Sequence, residues 1–127
     1  MIEGRHVQVR RIYDDPTPSD GTRVLVDRIW PRGVSKARAR LDEWCKEIAP
    51  FTELRTWYHH DPTLFEEFTR RYRVELTEPG RAAALPRLRQ QAERRMLTLL
   101  TATKAVDIGA AVVLAELIAS ESPSRNR

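Results

Sequence analysis

Residues 23–33 read Arg-Val-Leu-Val-Asp-Arg-Ile-Trp-Pro-Arg-Gly, and this stretch decides the fold class. Its three consecutive apolar residues predict a strand at residues 23–27 that is covered on both faces, which is the usual situation in a parallel sheet. The proline and glycine that follow predict a turn at the end of that strand. By the same criteria, residues 7–13 and 96–101 are predicted to form two further strands.

Helical patterns separate the three predicted strands. Asp61 and Pro62 are typical of a helix N-cap and first position, and apolar side chains recur every four residues after them. Pro86 is expected to begin or kink a later helix. Altogether the patterns predict helices at residues 35–47, 52–58, 61–78, 81–94 and 108–119. Strands separated by helices pair in parallel through right-handed crossovers. The predicted class is therefore α/β, a small three-layer sandwich with a short, mostly parallel sheet flanked by helices.

The length of 127 residues fits a single α/β domain, predicted at residues 7–119. Residues 1–6 are interpreted as an N-terminal extension or a leftover protease-cleavage site, and residues 120–127 as a disordered tail. Hydrophobic residues make up 41% and charged residues 31%, which is typical of a globular protein. Without a membrane-length apolar run or a secretory signal, the expected location is cytoplasmic, with no membrane contact. The single cysteine, Cys45, excludes an internal disulfide and a multi-cysteine zinc site.

The charge balance is basic, with a formal net charge of +4 and an isoelectric point of about 9.7. Such values favour a nucleic-acid partner. However, all but three of the 22 basic residues are arginine, which is also typical of a GC-rich bacterial genome. Many of them are spaced for ion pairs along a helix, as Glu66–Arg70 and Glu67–Arg71 are. No helix-turn-helix or zinc-finger pattern is present, so nucleic-acid binding is the less favoured alternative.

Two loops that leave predicted strands carry charged side chains. Asp27, Arg28 and Arg32 follow one strand, and Lys104 follows another. Ligands of open α/β sheets bind outside the carboxyl ends of the strands, so these four side chains are predicted to converge on one pocket. Arginine binds carboxylate or phosphate in two-pronged fashion, and Trp30 adds a stacking surface. In the competing structural interpretation, Asp27 pairs with an arginine at the strand end, Trp30 belongs to the core and Lys104 lies in solvent.

Catalytic residues are harder to find. Cys45 lies on an apparently apolar helix face, which favours a buried, inert thiol. No nucleophile elbow, phosphate loop, dinucleotide-binding glycines or metalloprotease motif occurs, so no metal and no cofactor is expected. His60 with Asp27 is the remaining general acid–base candidate. The structural alternative is that His60 and Asp61 begin a helix, with the His60 ring packed on Trp57.

Six sequence blocks resemble the signature of a bacterial family, the domain of unknown function 488. The blocks occur in the family's order within residues 7–118, nearly the whole chain. They are Val24–Gly33, Leu41–Trp44, Ile48–Pro50, Glu53–Arg55, His60–Pro62 and Thr98–Leu100. The resemblance implies a compact α/β domain and no particular activity.

The chain departs from this family pattern at four positions. Phe51 stands where the pattern usually has a small hydroxyl residue, and Thr101 stands where an aromatic residue is common. Gly109 and Ala110 stand where family members commonly carry Asn, or Asn with His. If those polar residues belong to a family site, this chain has lost part of it.

Three functions remain open on the sequence alone. The favoured one is a small enzyme or binding domain whose pocket holds an anionic ligand that bears phosphate or carboxylate. The residues predicted to bind that ligand are Arg28, Trp30, Arg32, Arg55 and Lys104. The alternatives are a nucleic-acid-binding or regulatory module and a protein-interaction domain, the last marked by an exposed apolar patch of roughly several hundred Å².

Overall fold

The computed structural model describes residues 6–120, so most of the predicted N-terminal extension and tail lies outside the described residues. The strands are β1 (Val7–Arg11), β2 (Thr22–Leu25), β3 (Glu43–Trp44) and β4 (Leu97–Thr101). The α-helices are α1 (Lys36–Ala39), α2 (Thr52–Tyr58), α3 (Phe65–Glu75), α4 (Pro79–Arg94) and α5 (Ala110–Ala119). Short 3-10 helices lie at Pro18–Asp20, Lys46–Ile48, Pro62–Leu64 and Val106–Ile108. Within this range, none of the helices combines the length and the apolar character that crossing a bilayer requires.

The four strands form one parallel sheet in the order β1-β4-β2-β3. In β4, Leu99 lies opposite Val9 on one side and Val24 on the other. Every residue of β4 is buried, which accounts for its apolar sequence, because an inner parallel strand is covered on both faces. The predicted α/β class with a parallel sheet is confirmed.

The predicted helix at residues 35–47 is wrong in its second half. α1 ends at Ala39, and Arg40 then turns the chain in the left-handed conformation with φ of 49°. Asp42 brings the chain back to the sheet, because its N–H donates to the Arg23 carbonyl at 2.9 Å and its carboxylate accepts from the Arg23 N–H at 2.8 Å. The second half of the predicted helix is replaced in part by β3, a two-residue strand at the edge of the sheet. The apolar spacing in this segment therefore does not reflect a helix.

The remaining helices lie close to their predicted positions. α2 has the predicted bounds, and α4 begins at Pro79, with Pro86 accommodated inside the helix. On α3, the predicted pair Glu67–Arg71 forms at 2.7 Å, but Arg70 also pairs with Glu67, at 2.6 Å, rather than with Glu66.

The two faces of the sheet are covered unequally. Helices α2 to α5 pack on one face and form the larger core with Val24, Leu97 and Leu99. On the other face, α1 and the loop after β2 cover a smaller cluster around Leu25 and Leu100. The predicted three-layer arrangement is present, and its second outer layer is one short helix and a loop.

A buried charged network occupies the thinly covered face. Asp20 is 1% exposed, and its carboxylate accepts from Arg23 Nη1 at 2.5 Å and from Arg10 Nη1 at 3.1 Å. The Thr98 hydroxyl donates to the Asp20 carbonyl at 2.6 Å. Burial alone raises the pKa of Asp20, but hydrogen bonds from Thr17 and Arg23 and the charge of Arg10 outweigh it and lower this pKa below its usual value. The ionised carboxylate therefore joins side chains of β1 and β2 beside β4.

The Asp20→Ala substitution is expected to destabilise the domain by about 3 to 5 kcal/mol, because the Arg23 guanidinium stays buried without its carboxylate. Urea unfolding followed by circular dichroism measures this change in the free energy of unfolding. Asp15→Ala is the matched control, since Asp15 is 88% exposed and its pair with Arg38 contributes little in solvent. Similar, small effects in both variants would contradict the role assigned to Asp20.

Candidate functional site

A cleft of about 1010 Å³ opens at the carboxyl edge of the sheet. One wall is α2 with the residues just after it, and the opposite wall is the loop of residues 27–35, called the β2 loop below. The floor is made by the ends of β2 and β4, and Tyr13 contributes from the segment after β1. Ligands of parallel α/β sheets usually bind at this edge.

Asp27 forms part of the cleft floor. Its Oδ1 accepts from the Thr101 hydroxyl at 2.8 Å, and its Oδ2 accepts from the Ala102 N–H at 2.7 Å. Burial raises the pKa of Asp27 above its usual value, although these two hydrogen bonds and the electrostatic influence of Arg55 and of the His60 side chain act in the opposite direction. Asp27 therefore ties β2 to β4 through hydrogen bonds, and within residues 6–120 it forms no ion pair with an arginine.

The α2 wall presents Arg55, Tyr58 and His60 to the cleft. Tyr58 is buried, stacks on Phe68 with ring centroids 4.1 Å apart, and donates its hydroxyl hydrogen to the Ile108 carbonyl at 2.7 Å. These contacts fix the end of α2 against the core, so the wall is rigid at its base.

His60 reaches the cleft through an unusual backbone turn. His59 and His60 both have left-handed φ angles, of 48° and 52°, and such residues cost about 1 to 3 kcal/mol each. The His60 Nε2 atom lies 2.9 Å from the Thr103 hydroxyl, and its ring lies 5.7 Å from that of Tyr58. The alternative that placed this ring on Trp57 is therefore wrong, since the contacts of His60 are with Tyr58 and Thr103. Asp61 does cap the following turn, as predicted, by accepting from the Thr63 N–H at 3.0 Å.

The β2 loop has a fixed shape despite its exposure. Trp30 donates from Nε1 to the Val34 carbonyl at 2.7 Å and packs edge to face on Trp44, with ring centroids 5.2 Å apart. The Tyr13 hydroxyl donates to the Arg32 carbonyl at 3.0 Å. Trp30 is thus both a member of the smaller core and part of the cleft wall.

Three arginines in the cleft have no carboxylate partner. Arg28 donates from Nη2 to the Pro50 carbonyl at 3.3 Å, and its buried Nε has no hydrogen-bond partner. Neither Arg28 nor Arg32 nor Arg55 forms an ion pair within the described part of the chain. Ion pairs are formed instead by Arg10, Arg23, Arg38, Arg70, Arg71 and Arg87. The cleft therefore gathers positive charge that the chain itself does not neutralise.

Six of the seven predicted site residues line this cleft, namely Asp27, Arg28, Trp30, Arg32, Arg55 and His60. Lys104 is at the same edge of the sheet, but it is exposed and does not line the cleft. The cleft is also lined by three residues that were not predicted from the sequence, Tyr13, Tyr58 and Thr103. Tyr13 and Thr103 follow strand ends by two residues, so the rule that predicted the cleft would have included them. For Tyr58, the sequence indicated only that it belongs to the predicted helix α2, and nothing in it indicated a position in the cleft.

Outside the cleft, Glu43, Cys45 and Glu47 converge beside β3, with ligand atoms within 4.8 Å of one another. Arg87 already supplies a cation there, since it donates to Glu43 at 2.6 Å and lies 3.7 Å from both the Glu47 carboxylate and the Cys45 Sγ atom. Burial, with the charges of Glu47 and Glu43, raises the pKa of Cys45 to about 12. The thiol is thus protonated at neutral pH, in agreement with the inert role expected for it.

The pair of His60 and Thr103 has the spacing of a general base and a hydroxyl group. Catalytic triads also need a third group that orients the histidine. Within residues 6–120, His60 Nδ1 has no hydrogen-bond partner, and the Asp27 carboxylate is bonded to Thr101 and Ala102 instead. The arrangement can hold a polar ligand group, but it lacks a complete triad.

The departures from the family pattern cluster near this cleft. Thr101 and Ala110 line it, and Thr101 provides a hydrogen bond to Asp27. Ala110 offers only a methyl group. Gly109 precedes α5, and a Cβ atom at this position would lie 3.2 Å from the Thr103 methyl carbon. Phe51 lies outside the cleft, under the Arg81 guanidinium at 3.8 Å.

The pKa of Asp27 is expected to rise further in Arg55→Gln, because the positive charge of Arg55 favours the ionised carboxylate. A carboxyl-carbon NMR titration measures this pKa directly. The folded-state pKa of Asp27 exceeds the unfolded one, so Asp27 contributes stability below pH ~4 and loses that contribution as the pH rises through the folded value. Arg73→Gln, on the exposed surface of α3, is the control. An unchanged Asp27 pKa in Arg55→Gln would refute the electrostatic coupling.

Cys45 is expected to resist a thiol reagent such as Ellman's reagent at pH 8 in the folded protein. The reason is that the side chain is fully buried and its pKa is raised to about 12. Absorbance of the released thiolate measures the rate, and unfolding in urea provides the fully reactive reference. Rapid labelling of the folded protein would show that the thiol is accessible and ionised.

Comparison with known proteins identifies the family. A family model described as the inactive DUF488-N3 subclade matches residues 6–126. The chain is 48% identical over 118 residues to the uncharacterized protein Rv3073c of Mycobacterium tuberculosis strain H37Rv, covering 93% of this chain and 98% of that protein. It is 41% identical over 115 residues to the uncharacterized protein YeaO of Escherichia coli K12, covering 91% and 98%. No solved structure shows significant similarity. The resemblance of the sequence blocks is thereby confirmed, and the chain belongs to the DUF488 family.

Proposed function

We propose that this domain binds a small anionic ligand, bearing phosphate or carboxylate, in the cleft at the carboxyl edge of the sheet. The observation that carries this proposal is the set of three cleft arginines without a carboxylate partner, Arg28, Arg32 and Arg55. Guanidinium groups form two-pronged, charge-assisted bonds with carboxylates and phosphates. Lys104 is exposed and does not line the cleft, so it is not assigned to the ligand.

Arg28 gives the strongest support for a bound anion. Within residues 6–120, its buried Nε has no hydrogen-bond partner, and the Pro50 carbonyl is the one group that accepts from its guanidinium. A buried donor without a partner costs about 1 to 3 kcal/mol, and more when the group is charged. An anion that accepts from this group recovers that free energy, so binding is favoured at this end of the cleft.

The proposal is for binding without turnover. The family model carries the description inactive, and this chain has Ala110 at a cleft position where polar residues are common in the family. Cys45 lies outside the cleft with a protonated thiol, and the pair of His60 and Thr103 lacks an orienting partner within the described residues. In the part of the chain that the structure describes, the cleft thus has charged residues that can hold an anion, without a complete set of groups to transform it.

The test is a thermal-shift titration with inorganic phosphate, pyrophosphate and citrate. A ligand at about 100 times its Kd adds roughly 2.7 kcal/mol of stability, which raises Tm by several degrees. We expect Arg32→Ala and Arg55→Ala to remove most of this shift. Arg73→Ala should retain it, because Arg73 is an exposed arginine outside the cleft.

Four outcomes would count against the proposal. Absence of a shift with every anion, or equal loss in Arg73→Ala, would exclude the cleft as an anion site. A short oligonucleotide is titrated in the same way, and a shift seen only with it, at low salt, would favour the nucleic-acid alternative. Chemical conversion of a bound anion that is lost in Thr103→Ala would overturn the claim of binding without turnover.

A further inference from the structure

The cleft is much larger than a simple anion requires. Its volume of about 1010 Å³ lies at the upper end of the ~300 to 1000 Å³ that is typical of pockets for ligands of drug or cofactor size. A single phosphate or carboxylate held by the arginines would leave most of this space filled with water. The rest of the ligand must therefore match the other surfaces of the cleft.

Both walls of the cleft carry positive charge, and the β2 loop adds apolar surface. Arg55 and His60 lie on the α2 wall, whereas Arg28 and Arg32 belong to the β2 loop. The β2 loop also exposes Ile29, which is 63% exposed, and Tyr13, from the segment after β1, is 36% exposed. Large apolar side chains that line a cleft and remain exposed provide a surface on which a planar ring can stack.

The β2 loop also offers many backbone donors. The N–H groups of residues 27–35, Pro31 excepted, form no hydrogen bond within the described residues. A hydrocarbon group placed on this wall would leave these donors unpaired, whereas a heteroaromatic ring carries both a planar face and acceptor atoms. The wall therefore fits a nucleobase better than a purely apolar group.

The floor between the walls adds a hydrogen-bond acceptor. Each Asp27 carboxylate oxygen already accepts one bond, and each has a further lone pair for a donor. A sugar hydroxyl is a donor of this kind and carries no negative charge that Asp27 would repel. A ligand of three parts would therefore match the cleft. Its phosphate would bind the arginines, its hydroxylated linker would donate to the floor, and its heteroaromatic ring would lie on the β2 loop.

On these grounds we infer that the anion of the proposed function is the phosphate of a nucleoside phosphate, with the base against the β2 loop. The inference rests on the proposed function, because it assigns the phosphate to the same arginines. A free mononucleotide and the phosphorylated end of a nucleic-acid strand present the same chemistry.

Isothermal titration calorimetry of the full chain tests this with four kinds of ligand: inorganic phosphate, ribose 5-phosphate, the four ribonucleoside 5′-monophosphates, and a short 5′-phosphorylated oligonucleotide. At least one monophosphate is expected to bind about 10-fold more tightly than ribose 5-phosphate, since base stacking on protein side chains has this order of magnitude. Comparable affinity for the oligonucleotide, with competition by the mononucleotide, identifies the strand end as the source. Preference for the mononucleotide identifies the free ligand.

Matched apolar variants separate base recognition from phosphate binding. Ile29→Ser should weaken nucleotide binding several-fold while leaving ribose 5-phosphate unchanged. Val74→Ser is the control, because Val74 is 59% exposed on α3 and lies outside the cleft. If ribose 5-phosphate binds as tightly as every nucleotide, the inference is overturned and the anion site stands. If none of the phosphate ligands binds, the inference and the phosphate form of the proposed function fall together, and citrate decides whether a carboxylate site remains.

Discussion

The hydrogen bonds of Asp27 hold together the two strands on which the cleft is built. Its carboxylate accepts from the Thr101 hydroxyl and from the Ala102 N–H, so the chain segments leaving β2 and β4 stay in contact beyond the last residue of the sheet. The β2 loop and the Thr103 hydroxyl take their positions from this junction. Desolvation at this half-buried position raises the pKa of Asp27 and disfavours its ionised form, and the two hydrogen bonds act in the opposite direction.

A second carboxylate, that of Asp20, lies at the opposite end of the thinly covered face. It pairs with Arg23 and Arg10, and its pKa is lowered, whereas that of Asp27 is raised. Both carboxylates accept from a threonine hydroxyl and a backbone N–H, and Asp20 differs in that it also binds two guanidinium groups. Within residues 6–120, Arg28, Arg32 and Arg55 form no ion pair.

The sequence predicts the fold where burial alone dictates residue type. β2 and β4 are covered on both faces and contain consecutive apolar residues, Val24–Leu25 and Leu99–Leu100, so both are recognisable. β3 is not, because it has two residues and depends on bonds between Asp42 and Arg23 that only the folded chain forms.

The residues of the cleft, like the strands, could be predicted from the sequence only in part. Residues directly after strand ends, such as Asp27 and Arg28, follow from topology alone. Lys104 lies only one residue beyond Thr103, yet it does not line the cleft, because the direction of a loop is set by its contacts and not by its position in the chain. The position of His60 depends on two consecutive left-handed residues, and no glycine marks that turn in the sequence.

The backbone N–H groups of the β2 loop donate no hydrogen bond within residues 6–120, and this has a consequence for motion. Amide protons of such a segment are not protected by the secondary structure, so they exchange with solvent through local opening and not through unfolding of the whole domain. The two sides of the cleft thus differ in stiffness, since Tyr58 anchors the α2 wall to the core while the β2 loop is held through the side chains of Tyr13 and Trp30. A ligand that accepts from the N–H groups of the β2 loop would order this loop, while the α2 wall is already held by the core. Amide hydrogen exchange would then become slower in residues 27–35 alone.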